Sequence, residues 1–401
     1  MNTYIAERTT RIETSPSSAA TQRARDLRAE GHDIIALTQG QPDFPTPDNV
    51  IEAAYAAMRR GETAYTPVGG TPALKEAIQQ KFRCQNDLEY KHDQIIASNG
   101  AKQTIYNAIM ATVEAGDEVI IAAPFWGSYA EMVKYVGGVP CLIECREEND
   151  FKLQPEELDK ALSSKTRWLM LNSPNNPSGS LYTAKEYTAL GDVLTKHPKC
   201  LLMSDDMYEH IRFDGIEFVS PAQADPRLYD RTLTINGVSK AYAMTGWRIG
   251  YAGGPADLVK IMHKLQNQST GNPNSVAQAA AIEAMLGPQE IVAIRSKIFQ
   301  ERRDFMLDRL KNCPGLTCLK PDGAFYLYPS CLSHIGKTSP AGRKINNDQD
   351  FVIYLLEEFG IGAVHGEAYG LSPHFRLSFA ASMDELEEAC QRIHAACLAL
   401  S

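Results

Sequence analysis

Residues 232–254 read TLTINGVSKAYAMTGWRIGYAGG, and the fold turns on how this stretch is read. Two short apolar runs, 232–235 and 248–252, have the character of strands. Between them lie small, hydroxyl-bearing and aromatic residues, and the whole stretch carries only two charges, Lys240 and Arg248. Buried charges need partners. The two cations read either as structural charges satisfied within the fold or as working groups. In the second reading Lys240 is desolvated so that its amine can form a Schiff base, and Arg248 holds an anion.

Working outward, similar runs rich in Ile, Val and Leu recur at 94–97, 118–122, 139–143, 168–171 and 201–203, with helical patterns between them. With the two runs above they predict one large sheet of seven strands, mostly parallel and flanked by helices, in an α/β protein. Residues 102–113 predict a helix whose Ile105, Ile109 and Val113 share one face. Right-handed crossovers then stack such helices on the sheet. Beyond about residue 290 the pattern changes to a long charged helix through Arg302, Arg303 and Arg309, with short strands near 324–328, 362–364 and 375–379. That predicts a smaller α+β domain. The expected division is residues 1–44 as an N-terminal arm and part of the small domain, 45–295 as the large domain, and 296–401 as the small C-terminal domain. Residues 340–344, with Pro, Gly and two basic side chains, read as a surface loop.

Composition narrows the function. A chain of 401 residues with 44% hydrophobic and 22% charged residues fits a soluble protein of two domains with a cleft between them. The formal net charge of -9, without a basic cluster, argues against a nucleic-acid partner. Nine cysteines without zinc-type or Cys-x-x-Cys spacing read as reduced, mostly buried thiols. The first thirty residues have no apolar stretch and nowhere do 18 apolar residues run together, so neither a secretory signal nor a membrane span is expected, and the cytoplasm is the expected address.

Three further segments carry candidate chemistry. Ser98-Asn99-Gly100-Ala101-Lys102 ends a predicted strand and opens the helix 102–113, where free backbone amides make an anion site. A phosphate held by Gly100, Ala101, Lys102 and Arg248 would join this segment to the first. The turn-rich stretch Asn172 to Gly179 directly follows the strand 168–171; it is either an ordinary surface loop or, from its place at a strand's carboxyl end, part of a ligand site. Ser204-Asp205-Asp206-Met207-Tyr208 follows the next strand at the same edge. No His stands at ligand spacing there, so no metal is expected.

Taken in order, these stretches resemble the class I, fold type I pyridoxal-phosphate aminotransferases, in particular the bacterial aspartate aminotransferase subgroup outside the enteric type. The resemblance spans nearly the whole chain. It rests on Gly40-Gln41-Pro42-Asp43-Phe44, Tyr65-Thr66-Pro67, Pro124-Phe125-Trp126, the Asn172 to Gly179 loop, Asp205 to Tyr208, Ser239-Lys240 through Gly246-Trp247-Arg248, and Phe375-Arg376-Leu377-Ser378. It implies pyridoxal 5'-phosphate bound as a Schiff base to Lys240, which would then shuttle the substrate proton. Asp205 would pair with the pyridine nitrogen and keep the ring protonated. Asn176 and Tyr208 would hydrogen-bond the phenolic oxygen. Trp126 would stack on the ring, although an aromatic after a strand is more often core.

The resemblance also implies a substrate site. Arg376 would bind the α-carboxylate in two-pronged fashion, with a backbone contact from Gly40. On spacing alone Arg376, between Phe375 and Leu377, reads instead as an exposed charge on an edge strand. Tyr65 would reach the phosphate of a neighbouring subunit, which requires a homodimer with shared sites. Enteric-type relatives bind the distal carboxylate with an Arg whose place here is taken by Asn267. In the subgroup resembled, a Lys at the start of the phosphate-loop helix does so, and Lys102 matches it.

Aspartate and glutamate are therefore the favoured donors, with a 2-oxo acid such as 2-oxoglutarate as acceptor in a two-step exchange through the pyridoxamine form. Two residues depart from the pattern. Glu13, in Arg11-Ile12-Glu13-Thr14-Ser15-Pro16, takes the place of a flap Lys and argues against prephenate and mildly for a neutral side chain. Gly237 stands where many relatives have a phosphate-binding Ser, for which Ser239 would compensate. A neutral amino acid as donor, a β-lyase on the same scaffold, and the sensing domain of a transcription regulator are the competing readings. For the last, only about forty residues precede the matching region, too few for a DNA-binding domain.

Overall fold

The computed structural model describes residues 4–401. Twelve strands occur among the described residues. In chain order the first eight are β1 (Ile35–Ala36), β2 (Ile95–Ser98), β3 (Glu118–Ala123), β4 (Val139–Glu144), β5 (Thr166–Asn172), β6 (Leu201–Asp205), β7 (Thr232–Gly237) and β8 (Gly250–Gly253). The last four are β9 (Tyr326–Leu327), β10 (Ile361–Gly362), β11 (Val364–His365) and β12 (Phe375–Ser378).

Seven of them form one sheet in the order β2-β8-β7-β6-β5-β3-β4. All seven predicted strands are present. The sheet is parallel from β7 through β4, and only β8 runs against its neighbours. Its inner strands look continuously apolar because both faces are covered, whereas on the edge strand β4 Val139 and Leu142 stay exposed. Along β3, Val119 and Ile121 point into one core while Ile120 points into another, and along β5 Trp168 and Met170 oppose Leu169 and Leu171 in the same way. Two-sided burial leaves no face for polar residues. Ile120 and Ile121 have no exposed surface; removing each from water contributes about 2–3 kcal/mol, and a charge at either would have no partner.

The helix predicted at 102–113 spans Ala101–Thr112 and buries Ile105 and Ile109 against the sheet. The long charged helix spans Glu290–Leu310. Beyond it, β11-β12-β9 make an antiparallel three-stranded sheet, and β1 pairs in parallel with β10. The run 362–364 is split at Ala363 into β10 and β11, each pairing with a different sheet. The 340–344 segment is a turn closed by a Thr338–Lys344 bridge. Among the described residues no helix is long and apolar enough to cross a membrane, and six of the nine free cysteines are buried.

Direction and register place the site. β2, β3, β5, β6 and β7 all end at one edge of the sheet. Because β8 runs the other way, its amino end lies there too: Gly250 is opposite Gly237 on one side and Ser98 on the other. Everything that follows these carboxyl ends, and whatever precedes β8, therefore converges.

Candidate active site

At that edge lies a cleft lined from the large sheet, the small antiparallel sheet and the N-terminal segment. Lys240, three residues past β7, opens to it. Its Nζ donates to the carbonyl of Gly40, in the segment leading out of β1. Burial lowers its pKa to about 8, helped by the charges of Arg376 and Arg248 and opposed by Asp205.

Asp205, the last residue of β6, is buried. Its Oδ2 accepts from the Tyr129 hydroxyl at 2.5 Å and its Oδ1 from the Met207 amide at 3.3 Å. Burial raises its pKa, while Tyr129, Met207 and the Lys240 charge pull it down. Asn172, at the end of β5, staples the neighbouring loop in place: its Nδ2 donates to the Asp205 carbonyl at 2.7 Å and its Oδ1 accepts from the Asn176 amide at 2.8 Å. The 172–179 segment is thus a buried wall of the cleft and not a free surface loop.

Arg248 stands outside β8, at φ 58 in the left-handed region. The strand starts two residues later than the sequence pattern predicted because this backbone turn aims the guanidinium back across the edge. A Cβ added at Gly100 would lie 2.1 Å from Arg248 Nη2, and one added at Gly250 would lie 2.1 Å from the Ala101 amide nitrogen. Only glycines let the guanidinium and the start of the 101–112 helix come this close. The result is a helix N-terminus capped by Gly100 at φ 84 with a cation against it, an arrangement suited to an anion. Ser239 also lines the cleft. At Gly237 a Cβ would meet the Ile249 carbonyl at 2.9 Å and Met207 Cε at 3.0 Å, so packing leaves no room for a serine there.

Arg376 corrects the edge-strand reading. β12 is the middle strand of its sheet, and Arg376 is 2% exposed. Its Nη1 donates to Asn176 Oδ1 at 2.9 Å and its Nη2 to the Thr38 carbonyl at 2.7 Å, while Nε is buried without a partner. The guanidinium lies between the rings of Tyr326 and Tyr369, at 4.4 and 5.1 Å. Lys102 reaches over Trp126, with Nζ 4.6 Å from the ring centroid. Burial, then the Arg248 charge, lowers its pKa. Glu13 lines the outer part of the cleft, and its amide donates to Glu131 Oε2 at 2.7 Å.

Most of the expected residues thus meet around one space. Tyr65 does not: it is 99% exposed and away from its own chain's cleft. Asn267 lies exposed on the helix Ala256–Ser269, also outside it. The sequence reading missed Tyr129, Tyr326 and Tyr369. Tyr326 shares a face with Ala324 and Tyr328 by strand alternation, and Tyr129 sits one helical turn after Trp126, so a spacing signal existed for both.

Residues 32–393 match the family model described as aminotransferase class I and II. The chain belongs to that family. Similar aminotransferases include a probable aspartate/prephenate aminotransferase of Rhizobium leguminosarum bv. phaseoli, 50% identical over 98% of each chain. The aspartate aminotransferase of Rhizobium meliloti is 50% identical over 94% of this chain and 92% of its own. A crystal structure of the Rhizobium meliloti aspartate aminotransferase superposes with a TM-score of 0.97 at 49% identity, covering 99% of both chains. The Thermus thermophilus aspartate aminotransferase with maleate gives 0.90 at 37% identity, covering 98% of this chain and 99% of that one. The cleft of this aminotransferase holds the amine of Lys240, the buried carboxyl of Asp205 and the start of the 101–112 helix with Arg248 beside it.

Proposed function

We propose that this aminotransferase uses pyridoxal 5'-phosphate to move the amino group of aspartate or glutamate to a 2-oxo acid such as 2-oxoglutarate, in two half-reactions at one site. The observation that carries the reading is that Lys240, Asp205, Arg248 and Arg376 line one cleft, where burial and the two guanidinium charges lower the Lys240 pKa to about 8. When bound, the cofactor supplies an electron sink for the electron pair left when the substrate α-carbon loses its proton.

The residues present fit that group. Gly100, Ala101 and Lys102 at the helix N-terminus, with Ser239 and Arg248, suit a phosphate. Asp205, whose burial penalises an unpaired negative charge, suits a protonated ring nitrogen. Asn176 and Tyr208 would meet the phenolic oxygen, and Trp126 would cover the ring. Lys240 would hold the cofactor and, once freed by the substrate amine, carry the proton at the α-carbon. Arg376, with Asn176 and the Gly40 backbone, would hold the α-carboxylate in a fork-to-carboxylate contact.

Lys102 is in no salt bridge among the described residues and lines the cleft beside Trp126, so its amine is a cation available to a distal carboxylate. The bound maleate of the Thermus relative is itself a dicarboxylate. Glu13 also lines the cleft, and its carboxylate would repel the second carboxylate of a substrate such as prephenate.

A homodimer is part of the proposal. Ile51, Tyr55 and Met58 form an exposed apolar stripe on the helix Asp48–Arg59, and the fully exposed Tyr65 follows it, free to reach a second copy's phosphate. The decisive experiment pairs absorbance spectra with Lys240→Ala. The wild-type protein should take up the vitamer with a visible band that aspartate bleaches, whereas Lys240→Ala should keep its fold by circular dichroism and lose turnover. Near-wild-type turnover in that variant would sink the assignment.

A further inference from the structure

Tyr326, on β9, is fully buried at the wall of the cleft. Its hydroxyl is 2.9 Å from the Tyr208 hydroxyl. Its ring lies under the Arg376 guanidinium, 4.4 Å from the centroid to Cζ. The same hydroxyl is 3.5 Å from where a Cβ on Gly40 would stand, so it borders that backbone as well. One side chain from the small sheet thus touches each partner proposed for the α-carboxylate except Asn176, and also a partner proposed for the cofactor's phenolic oxygen.

We infer that Tyr326 is a positioning residue that couples the carboxylate-binding Arg376 to the hydroxyl of Tyr208. The inference rests on the function proposed above and adds a residue to it.

Hydrogen-bond counting supplies the mechanism. Each tyrosine hydroxyl has one proton and can also accept. Between two such groups a single hydrogen bond uses one proton and leaves the other free to point elsewhere. When Tyr326 donates, the Tyr208 proton turns toward the cleft; when Tyr208 donates, it is used up on Tyr326. The Arg376 guanidinium, 4.4 Å from the Tyr326 ring centroid, polarises that phenol and favours the first arrangement. Burial raises the pKa of both hydroxyls, and the Arg376 charge opposes it in both.

The other charges facing this pair are Asp205, whose field raises Tyr208, and Lys240, whose Nζ is 5.9 Å from the Tyr208 ring centroid. An anionic oxygen in the cleft adds to the same bias. Movement of Arg376 on taking up a carboxylate would be felt through the Tyr326 ring by the hydroxyl that supports Tyr208.

Two substitutions in the cofactor-loaded protein separate the parts. Tyr326→Phe keeps the ring under Arg376 and deletes the hydroxyl. It should leave KM for the amino donor within about twofold and lower kcat by about tenfold, the upper end of the loss expected for one hydrogen bond between neutral groups. It should also raise, by about half a unit or more, the midpoint of the bound cofactor's visible absorbance titrated against pH. Tyr326→Leu removes the ring too, and should in addition weaken binding of an unreactive dicarboxylate such as maleate.

Unchanged kcat and an unchanged absorbance midpoint in Tyr326→Phe would overturn the inference, as would a loss confined to KM. Should Tyr326→Leu fail to fold, Tyr326→Phe alone decides. A wild-type protein that takes up no vitamer would sink the proposed function instead, so the two failures are distinct.

Discussion

The low pKa of Lys240 makes a quantitative claim about cofactor capture. With a pKa of about 8 instead of 10.5, half of the amines are free at pH 8, against about 0.3% for an ordinary lysine, a gain of roughly 150-fold in reactive groups. The rate at which unloaded protein captures pyridoxal phosphate, followed by stopped-flow absorbance, should rise with pH and level off just above 8. The sign of the accompanying stability change follows from linkage. The folded chain releases the Lys240 proton near pH 8 and the unfolded chain only near 10.5, so between these values the unfolded state binds more protons and stability rises with pH. Below pH 8 both states hold the proton, and the folded state bears a penalty of at most about 3.4 kcal/mol, reduced by water in the cleft. After burial, Arg376 is the largest cause of the lowering. Arg376→Gln should therefore move the capture midpoint up by about half a unit. A wild-type midpoint at or above 10, or a downward shift in Arg376→Gln, would refute the reasoning.

Other residues make narrower claims. Lys102→Ala should raise KM for aspartate by about tenfold or more and for alanine by less than about twofold, since only aspartate offers a distal carboxylate; equal effects on both would assign Lys102 to the phosphate alone. Glu13→Lys should lower KM for a bulky dicarboxylate acceptor and leave KM for pyruvate unchanged, and no selective gain in initial-rate measurements would remove Glu13 from substrate choice. Asp43 and Arg302 form a two-pronged pair at 2.7 and 2.8 Å that ties the Gly40 segment to the Glu290–Leu310 helix. Asp43→Ala, which strands a nearly buried guanidinium, should destabilise the protein by about 2 kcal/mol in urea melts, and an unchanged midpoint would show the pair to be idle.

The sheet was legible because two-sided burial writes itself as uninterrupted Ile, Val and Leu runs, and the loops after those runs carried the chemistry-bearing residues in order. Spacing alone misplaces Arg376 because whether a strand is central or at an edge depends on its partners, and the second of them, at Leu327, lies about fifty residues back in sequence. The start of β8 was set too early for a related reason: the left-handed turn at Arg248 answers to Gly100, about 150 residues away, and not to its neighbours. Ala363 breaks a predicted strand because the two halves of that run serve different sheets. Tyr129, Tyr326 and Tyr369 escaped notice because a buried tyrosine looks like packing until its hydroxyl or ring is seen to have a partner.

The pairing of Ile35 with Ile361 and Ala36 with Gly362 has a consequence for how the molecule is made. The large sheet draws on strands from 95 to 253 only and can assemble while the ribosome is still extending the chain. The segment that carries Gly40 must wait for more than three hundred further residues before its strand finds a mate. A nascent chain stalled before Ile361 would carry Lys240 on a finished scaffold with one wall of its chamber still unbuilt.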